Sequence, residues 1–533
     1  MKLHLSKDRR YFLVEDLTIE QADDLREHLS STAPYIWALK KKMPEKFTHW
    51  DGKKYFIDKN MRIPKGLWHE VFVFCKERNI KLDIYGFSEL KDSNFKYEEF
   101  KTFCLDLFKT HPIYTPYDYQ IKAAAKILKH KYSQSEISTS AGKTLISYMI
   151  FMWLKKHGFK RQLIIVPRLT LITQFIEDFN EYANGEYEFT YQDIGGGADK
   201  IKQNVDFVVG TFQSLTKLPK EWYKEVDSLF VDEAHHTGAS SIRGIILKLD
   251  VQLRLKYGMS GTIEQGNRET ILTTQSFLGP IIQHILPEYL INGGYATPLK
   301  IKAYLMDYLN DEHKKKLHNL RMTKVDAAAE VFALEKDVIR NNNERFEFIC
   351  NQIKKAEKNS LVLFTDIKNG YGKRFFEYLK ANTDKRVYYI DGGTDKNLRD
   401  YYRKVMEDDE AILVASYGTI ATGTSIKNIS NIFLTESYKS RIIVMQSLGR
   451  SMRLHKDKEY AIIYDFIDDF SVRSSKKSKN YVLQHGEERI TYYKQYYANA
   501  NNGSFDIEKV AFKSKVNETP KDLTPKNKLN ILF

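Results

Sequence analysis

Ser138-Thr139-Ser140-Ala141-Gly142-Lys143-Thr144 runs directly into the apolar segment Leu145-Ile146-Ser147-Tyr148-Met149-Ile150. Gly-Lys-Thr at the entrance to a helix is a cradle for phosphate. Small residues let backbone N–H groups approach an anion, and the helix N-terminus adds a favourable dipole. In such a cradle Ser140, Ala141 and Gly142 supply backbone, Lys143 reaches the β and γ phosphates, and the Thr144 hydroxyl holds Mg²⁺. Ile137 stands where a strict phosphate loop has its first glycine, so the reading needs support from elsewhere in the chain.

That support comes in two places. The apolar run Leu229-Phe230-Val231 ends in Asp232-Glu233-Ala234-His235. A strand that delivers two acids is what a metal-dependent hydrolytic site needs: Asp232 toward Mg²⁺, Glu233 toward the attacking water. The gap from Lys143, 232 − 143 = 89 residues, suits two strands of one parallel sheet. Further on, Gln446-Ser447-Leu448-Gly449-Arg450-Ser451-Met452-Arg453 puts Arg450 and Arg453 three apart, on one face of a helix. An arginine aimed at a γ-phosphate offsets transition-state charge.

Short β-branched or aliphatic runs alternate with longer amphipathic segments from about 106 to 300, and again from about 346 to 470. Leu163–Val166, Phe207–Gly210 and Ser228–Asp232 are strands of the first stretch; Ser360–Phe364, Val387–Ile390 and Ala411–Ala415 belong to the second. Unbroken apolar strands suit a parallel sheet covered on both faces. The expected organisation is therefore a small α+β domain over 1–105, one parallel-sheet lobe over 106–300, and a charged helical linker over 301–345. A second lobe over 346–470, a helical extension over 471–500 and a disordered polar tail over 501–533 follow. In the first domain Trp50-Asp51-Gly52-Lys53 reads as a turn into a strand, and Leu67–Cys75 as a helix.

Lysine plus arginine number 83 against 69 for aspartate plus glutamate, a formal net charge of +14, which favours a polyanionic partner. The three cysteines, Cys75, Cys104 and Cys350, are far apart and odd in number. They build neither a disulfide framework nor a zinc site, and a reducing interior is their natural setting. No signal-peptide core or membrane-length apolar run is visible, so a soluble intracellular protein is expected. Lys40-Lys41-Lys42 and Lys53-Lys54 lie close to Trp50, Tyr55 and Phe56. Basic residues beside aromatics suit nucleic-acid binding, although Trp50, Phe56 and Trp68 also fit the domain's own core.

Taken in order, these motifs resemble those of the superfamily-two helicases. STSAGKT corresponds to motif I, DEAH to motif II, Ser260-Gly261-Thr262 to motif III, Ala415–Asn428 to motif V and QSLGRSMR to motif VI. Pro116-Tyr117-Asp118-Tyr119-Gln120 resembles the adenine-reading Q motif. Within the superfamily the chain is similar to the phage recombination helicases up to about residue 495. The resemblance implies two tandem RecA-like lobes that bind and hydrolyse ATP with Mg²⁺. Tyr117, Gln120 and Gly423 would contact the nucleotide, Gln446, Arg450 and Arg453 would complete the catalytic set, and His235, Ser260 and Thr262 would couple ATP state to movement. Pro167, Arg168, Gly210, Thr211, Gln213, Thr365 and Thr419 would contact a nucleic-acid backbone. The implied substrate is branched DNA (forks, D-loops, Holliday junctions) bound by a chain that is monomeric when free, with recombination proteins as further partners. The same motor runs RNA helicases and double-strand translocases, and the motifs leave both open.

Overall fold

The computed structural model describes residues 1–32, 50–195, 202, 204–249, 253–263, 267–308, 314–315, 317–320, 328–421, 426–436, 448–449, 451–471, 479–497 and 499–512. The chain divides into two compact units. The first is Met1–Thr297 with Ile420–Ser425 and Met445–Leu454; the second is Pro298–Thr419, Ile426–Val444 and His455–Phe533.

The first unit begins with a sheet of order β5-β2-β1-β6, built from β1 (Lys2–Leu5), β2 (Tyr11–Glu15), β5 (Arg62–Pro64) and β6 (Asp83–Tyr85). A separate pair joins β3 (Ser30–Thr32) to β4 (Lys53–Tyr55), with Gly52 at φ 88° making the expected turn. Helix α1 (Ile19–His28) is started by a reciprocal Thr18–Gln21 capping box. The segment read as a helix is α2 (Trp68–Glu77). Phe12, Leu25, Ile63, Val71 and Phe74 form the core, and Phe56 and Trp68 pack against it, so these two aromatics are structural. Lys53 pairs with Glu27, and Lys54 with Glu269 at 3.0 Å. The Lys40–Lys42 run lies outside the described residues.

Helices α3 (Tyr97–Leu107) and α4 (Asp118–Lys129) lead into a seven-stranded, wholly parallel sheet. Its strands are β7 (Tyr132–Ile137), β8 (Gln162–Val166), β9 (Tyr191–Ile194), β10 (Phe207–Thr211), β11 (Ser228–Asp232), β12 (Leu255–Ser260) and β13 (Ile281–Ile285), in the order β13-β7-β12-β11-β8-β10-β9. Strands β8, β10 and β11 are the apolar runs that mark the fold in the sequence. Strand β7 carries no such mark: Ser133, Gln134, Ser135 and Glu136 are polar yet buried. The β13 side of the sheet supplies partners for three of the four. Gln134 donates to the Gly279 carbonyl (2.8 Å), Gln283 to Ser135 Oγ (2.9 Å), and His284 Nδ1 meets Glu136 Oε2 (2.9 Å). Crossover helices α5 (Lys143–Lys156), α6 (Leu169–Ala183), α7 (Ser240–Leu249) and α8 (Arg268–Leu278), and the short α9 (Pro287–Asn292), complete this lobe.

The second unit is another seven-stranded parallel sheet. It comprises β14 (Leu299–Tyr308), β15 (Ser360–Phe364), β16 (Arg386–Ile390), β17 (Ala411–Ser416), β18 (Asn431–Leu434), β19 (Ala461–Asp469) and β20 (Ser504–Phe512), in the order β16-β17-β15-β18-β19-β14-β20. Two expectations are corrected here. The stretch 301–345 is not a helical bridge throughout: it opens inside β14, a ten-residue strand of the second sheet. Leu299, Ile301 and Ala303 are buried while Lys302 is exposed, so the lysines of this stretch alternate with core residues along a strand. Helices α10 (Ala328–Asn341) and α11 (Asn343–Lys355) follow, and Ile339, Phe346 and Ile349 are buried in this unit's own core. The tail is not structureless from 501: β20 pairs in parallel with β14 from Ser504 to Phe512. It is an edge strand with mostly exposed side chains, so it lacks the apolar content that announces a strand. Between β19 and β20, helix α12 (Tyr481–Tyr496) is fastened by Arg489, which makes two bonds to Asp465 (2.8 and 2.9 Å).

Candidate active site

In an open parallel sheet, ligands bind beyond the carboxyl ends of the strands. The first lobe collects its predicted residues there: β7 ends at Ile137 before the phosphate loop, β11 ends at Asp232 and β12 at Ser260. Gly142 caps α5 at φ 78° and Ser140 lies at φ 73°. The positive φ of Gly142 favours glycine, and a Cβ on it would stand 2.3 Å from Gln120 Nε2 and displace that side chain. Lys143 Nζ lies 3.4 Å from the Ile137 carbonyl.

Lys143 also acts electrostatically on Asp232 and Glu233. Burial, reinforced by the Glu233 carboxylate, pushes Asp232 above the ordinary carboxyl range. Burial would raise Glu233 too, but His235, Lys143 and Ser260 outweigh it and hold Glu233 low. The result is a half-buried pair in which negative charge is favoured on Glu233 over Asp232. Glu233 sits at φ 50°, a left-handed conformation that strains a residue with a side chain. Ser260 Oγ donates to Glu233 Oε2 (3.0 Å), and His235 Nδ1 meets Ser260 Oγ at 2.8 Å. The Thr262 backbone N–H also reaches Ser260 Oγ, at 3.3 Å. Of the three residues expected to couple nucleotide state to movement, Ser260 and His235 meet the acid expected to handle water, and Thr262 joins through Ser260.

Gln120 accepts from the Tyr117 N–H (2.9 Å) and donates to the Ala141 carbonyl (3.0 Å), which ties the segment expected to read adenine to the loop before α5. Ser140 Oγ donates to the Gly449 carbonyl, and Thr297 Oγ1 to the Arg453 carbonyl at 3.0 Å; all four residues belong to the first unit. Asp178, on α6, was not singled out in the sequence. Burial pushes it up to about 6, against a hydrogen bond from Thr144 and the charge of Arg453. Nothing in its amphipathic context marks it. Gly423, Gln446 and Arg450 lie outside the described residues.

The residues expected to touch nucleic acid divide into two groups. Pro167 and exposed Arg168 follow β8, while Gly210 and Thr211 end the adjacent β10 and exposed Gln213 comes just after. These five share one edge. The hydroxyl of Thr211 is spent locally, since it accepts from the Ser214 N–H. In the second unit Thr365 gives both its N–H (2.6 Å) and its hydroxyl (2.8 Å) to Glu436, a carboxylate held in turn by Arg340. Thr419 shares its hydroxyl with Ser416 at 2.7 Å. Both threonines organise loop ends at the carboxyl edge of their sheet.

A phosphate loop and an acid pair at the carboxyl edge of one parallel sheet, in a chain that carries a second such sheet, define a motor driven by nucleoside triphosphate. The comparisons with known proteins fit that class. A family described as the res subunit of type III restriction enzymes matches residues 113–265, and the helicase conserved C-terminal domain matches residues 344–455. The ATP-dependent DNA helicase uvsW of Enterobacteria phage T4 is 32% identical over 466 residues, which cover 84% of this chain and 89% of that protein. On that likeness the chain belongs to the superfamily-two helicases, as a relative of UvsW, and it is an ATP-dependent helicase. The DNA 3'-5' translocase XPB2 of Sulfurisphaera tokodaii is 25% identical over 65% of this chain and 80% of its own length. Among solved structures, the ATP-dependent Type ISP restriction-modification enzyme LlaBIII bound to DNA shares the fold, with a TM-score of 0.53 at 16% identity over 84% of this chain and 36% of that one. Among the described residues no helix is long and apolar enough to cross a membrane.

Proposed function

We propose that this chain is a DNA helicase that remodels branched DNA, with the site just described as its ATPase centre. The observation that carries the reading is the 32% identity to the T4 DNA helicase along 89% of that protein, a length that takes in far more than the two motor motifs.

ATP would lie with its base against Tyr117 and Gln120 and its phosphates over Gly142–Thr144. Among the described residues there is no cluster of three or more acidic, histidine or cysteine ligands. One hydroxyl, Thr144, and one carboxylate, Asp232, suit Mg²⁺, which keeps most of its shell from phosphate oxygens and water. When bound, Mg²⁺ would neutralise developing charge on the phosphates. Glu233, kept anionic and aimed by Ser260, would orient or deprotonate water. Arg450 and Arg453, with Gln446, would stabilise the transition state, and Gly423 would contact the nucleotide. Arg168 and the loop ends after β8 and β10 would grip the DNA backbone without reading sequence.

The test compares ATPase stimulation and strand separation at matched salt on a fork, a four-way junction, single-stranded DNA and single-stranded RNA. Unwinding of the fork and junction with ATP is expected. Stimulation by RNA alone would assign an RNA helicase, and duplex-stimulated ATPase without strand separation a translocase. Lys143→Ala is expected to abolish ATPase and unwinding while DNA binding survives; DNA-stimulated ATPase in that variant would remove the phosphate loop from the mechanism.

A further inference from the structure

Two neighbouring side chains of α4 converge on one acceptor. Tyr119 Oη donates to the Ala141 carbonyl at 2.9 Å and Gln120 Nε2 donates to the same oxygen at 3.0 Å. Tyr119 is 5% exposed, and burial raises its phenol well above the ordinary tyrosine value, so the hydroxyl stays a donor at neutral pH. The accepting peptide is the one that joins Ala141 to Gly142. In a trans peptide the carbonyl and the following N–H point in opposite directions. Holding the Ala141 oxygen toward α4 therefore turns the Gly142 N–H the other way, into the loop that begins α5. Gln120 already carries a second duty, capping the Tyr117 N–H, whereas the hydroxyl of Tyr119 is committed to the carbonyl.

Three other tyrosine rings hold Tyr119 in place. Tyr117 stacks on it at 5.8 Å and 15°, Tyr289 meets it edge-on at 6.0 Å, and Tyr295 packs at 4.7 Å. Tyr295 lies at 4.7 Å from Tyr117 as well. Only Ala296 and Thr297 separate Tyr295 from Pro298, where the second unit begins. One aromatic box thus borders the expected base position, the phosphate loop and the chain's exit from the first unit.

We propose that Tyr119 is a positioning residue of the phosphate loop, orienting the Ala141–Gly142 peptide so that the Gly142 N–H is presented to phosphate, and that Tyr295 braces it from the exit segment. The proposal rests on the reading of Gly142–Thr144 as the nucleotide-phosphate site. Tyr119→Phe keeps the ring and removes only the hydroxyl. Calorimetric titration of the full chain with Mg²⁺-tripolyphosphate is expected to show affinity about five- to tenfold weaker, the scale of one net hydrogen bond. Adenosine affinity and melting temperature are expected to stay at wild-type values, which a merely structural tyrosine would not guarantee. Tyr295→Ala leaves the hydroxyl in place but unbraced, and a loss of about threefold in the same titration is expected, a fraction of that bond. It carries the test alone if Tyr119→Phe melts abnormally. Wild-type tripolyphosphate affinity in both variants, or a Tyr119→Phe chain weakened equally toward tripolyphosphate and adenosine, would overturn the proposal. A wild-type chain that binds neither Mg²⁺-tripolyphosphate nor ATP would instead overturn the underlying assignment, so the two failures are distinct.

Discussion

Glu233 shows how much of a motor site is set by single residues. Its side chain is held by Ser260 and His235, and its backbone sits in a strained left-handed conformation, a feature that persists only where the surroundings enforce it. Glu233→Gln preserves shape and removes the charge. We expect kcat for ATP hydrolysis to fall by about 10²–10⁴, the scale of a lost general base, with ATP affinity little changed. Steady-state ATPase beside nucleotide titration checks this, and a pure affinity loss would assign Glu233 to binding instead. Ser260→Ala should lower the same kcat by a smaller factor, because Glu233 then loses its aim and keeps its charge. At this scale the sequence was legible wherever chemistry needs a fixed order of residue types: Gly-Lys-Thr, Asp-Glu-Ala-His, Ser-Gly-Thr. It was silent on Tyr119, Tyr295 and Asp178. Their importance lies in what they touch, and the deciding contacts join residues distant in sequence, as between Tyr119 and Ala141 or Tyr119 and Tyr295.

Among the elements, the pattern of success follows burial. Strands β8, β11, β15 and β17 are covered on both faces, so nearly every position is apolar and the run is visible. Strand β7 is equally buried but polar, with Gln134, Ser135 and Glu136 bonded toward β13; β14 interleaves lysines with its core residues, and β20 is an exposed edge strand that reads as a loose tail. The C-terminal helix α12 is held to the sheet by Arg489 and Asp465, with Tyr493 donating to the same carboxylate at 2.8 Å. The two ionic side chains are 5% and 0% exposed. Removing one partner of such a pair leaves the other charge stranded, at a cost of about 3–5 kcal/mol. Arg489→Met is accordingly expected to lower the melting temperature of the second unit by about 10 °C and to release β20 from β14. Arg489→Met combined with Asp465→Leu should recover most of the loss, since an apolar pair of similar volume replaces a buried ion pair at little cost. Differential scanning calorimetry of the single and double variants decides the matter; a double variant as unstable as the single would mean that packing, not charge, fastens the helix.

Across the whole molecule, the informative boundary lies inside the first unit. The N-terminal domain does not end its core at its own border: Tyr132 of β7 and Leu272 of α8 are buried among Phe12, Ile63 and Leu67. Gly66 approaches α8 so closely that a Cβ would stand 1.9 Å from the Gln275 carbonyl. Across the same seam Glu70 of α2 meets Arg268 of α8 at 2.7 Å, with His28 at 3.6 Å. Burial would raise the Glu70 carboxyl, but the hydrogen bonding of His28 and the charge and hydrogen bond of Arg268 outweigh it and hold it at about 2. A carboxyl lower in the folded than in the unfolded state binds fewer protons when folded, so stability rises with pH between the two values. The contribution of Glu70 is therefore complete above its unfolded value of 4.5 and is lost as pH falls toward about 2. Arg268 is 40% exposed, so solvent screening reduces the contribution to about 1–2 kcal/mol. Hydrogen exchange of α2 and α8 is expected to accelerate as pH is lowered across that window, once corrected for the intrinsic pH dependence of exchange. Glu70→Gln should show the faster exchange already at neutral pH and a flatter acid response. If Glu70→Gln exchanges like wild type at neutral pH, the Glu70 charge does not hold the seam, and the shared apolar core does, together with the Lys54–Glu269 pair and the bond from Arg268 to the His28 carbonyl.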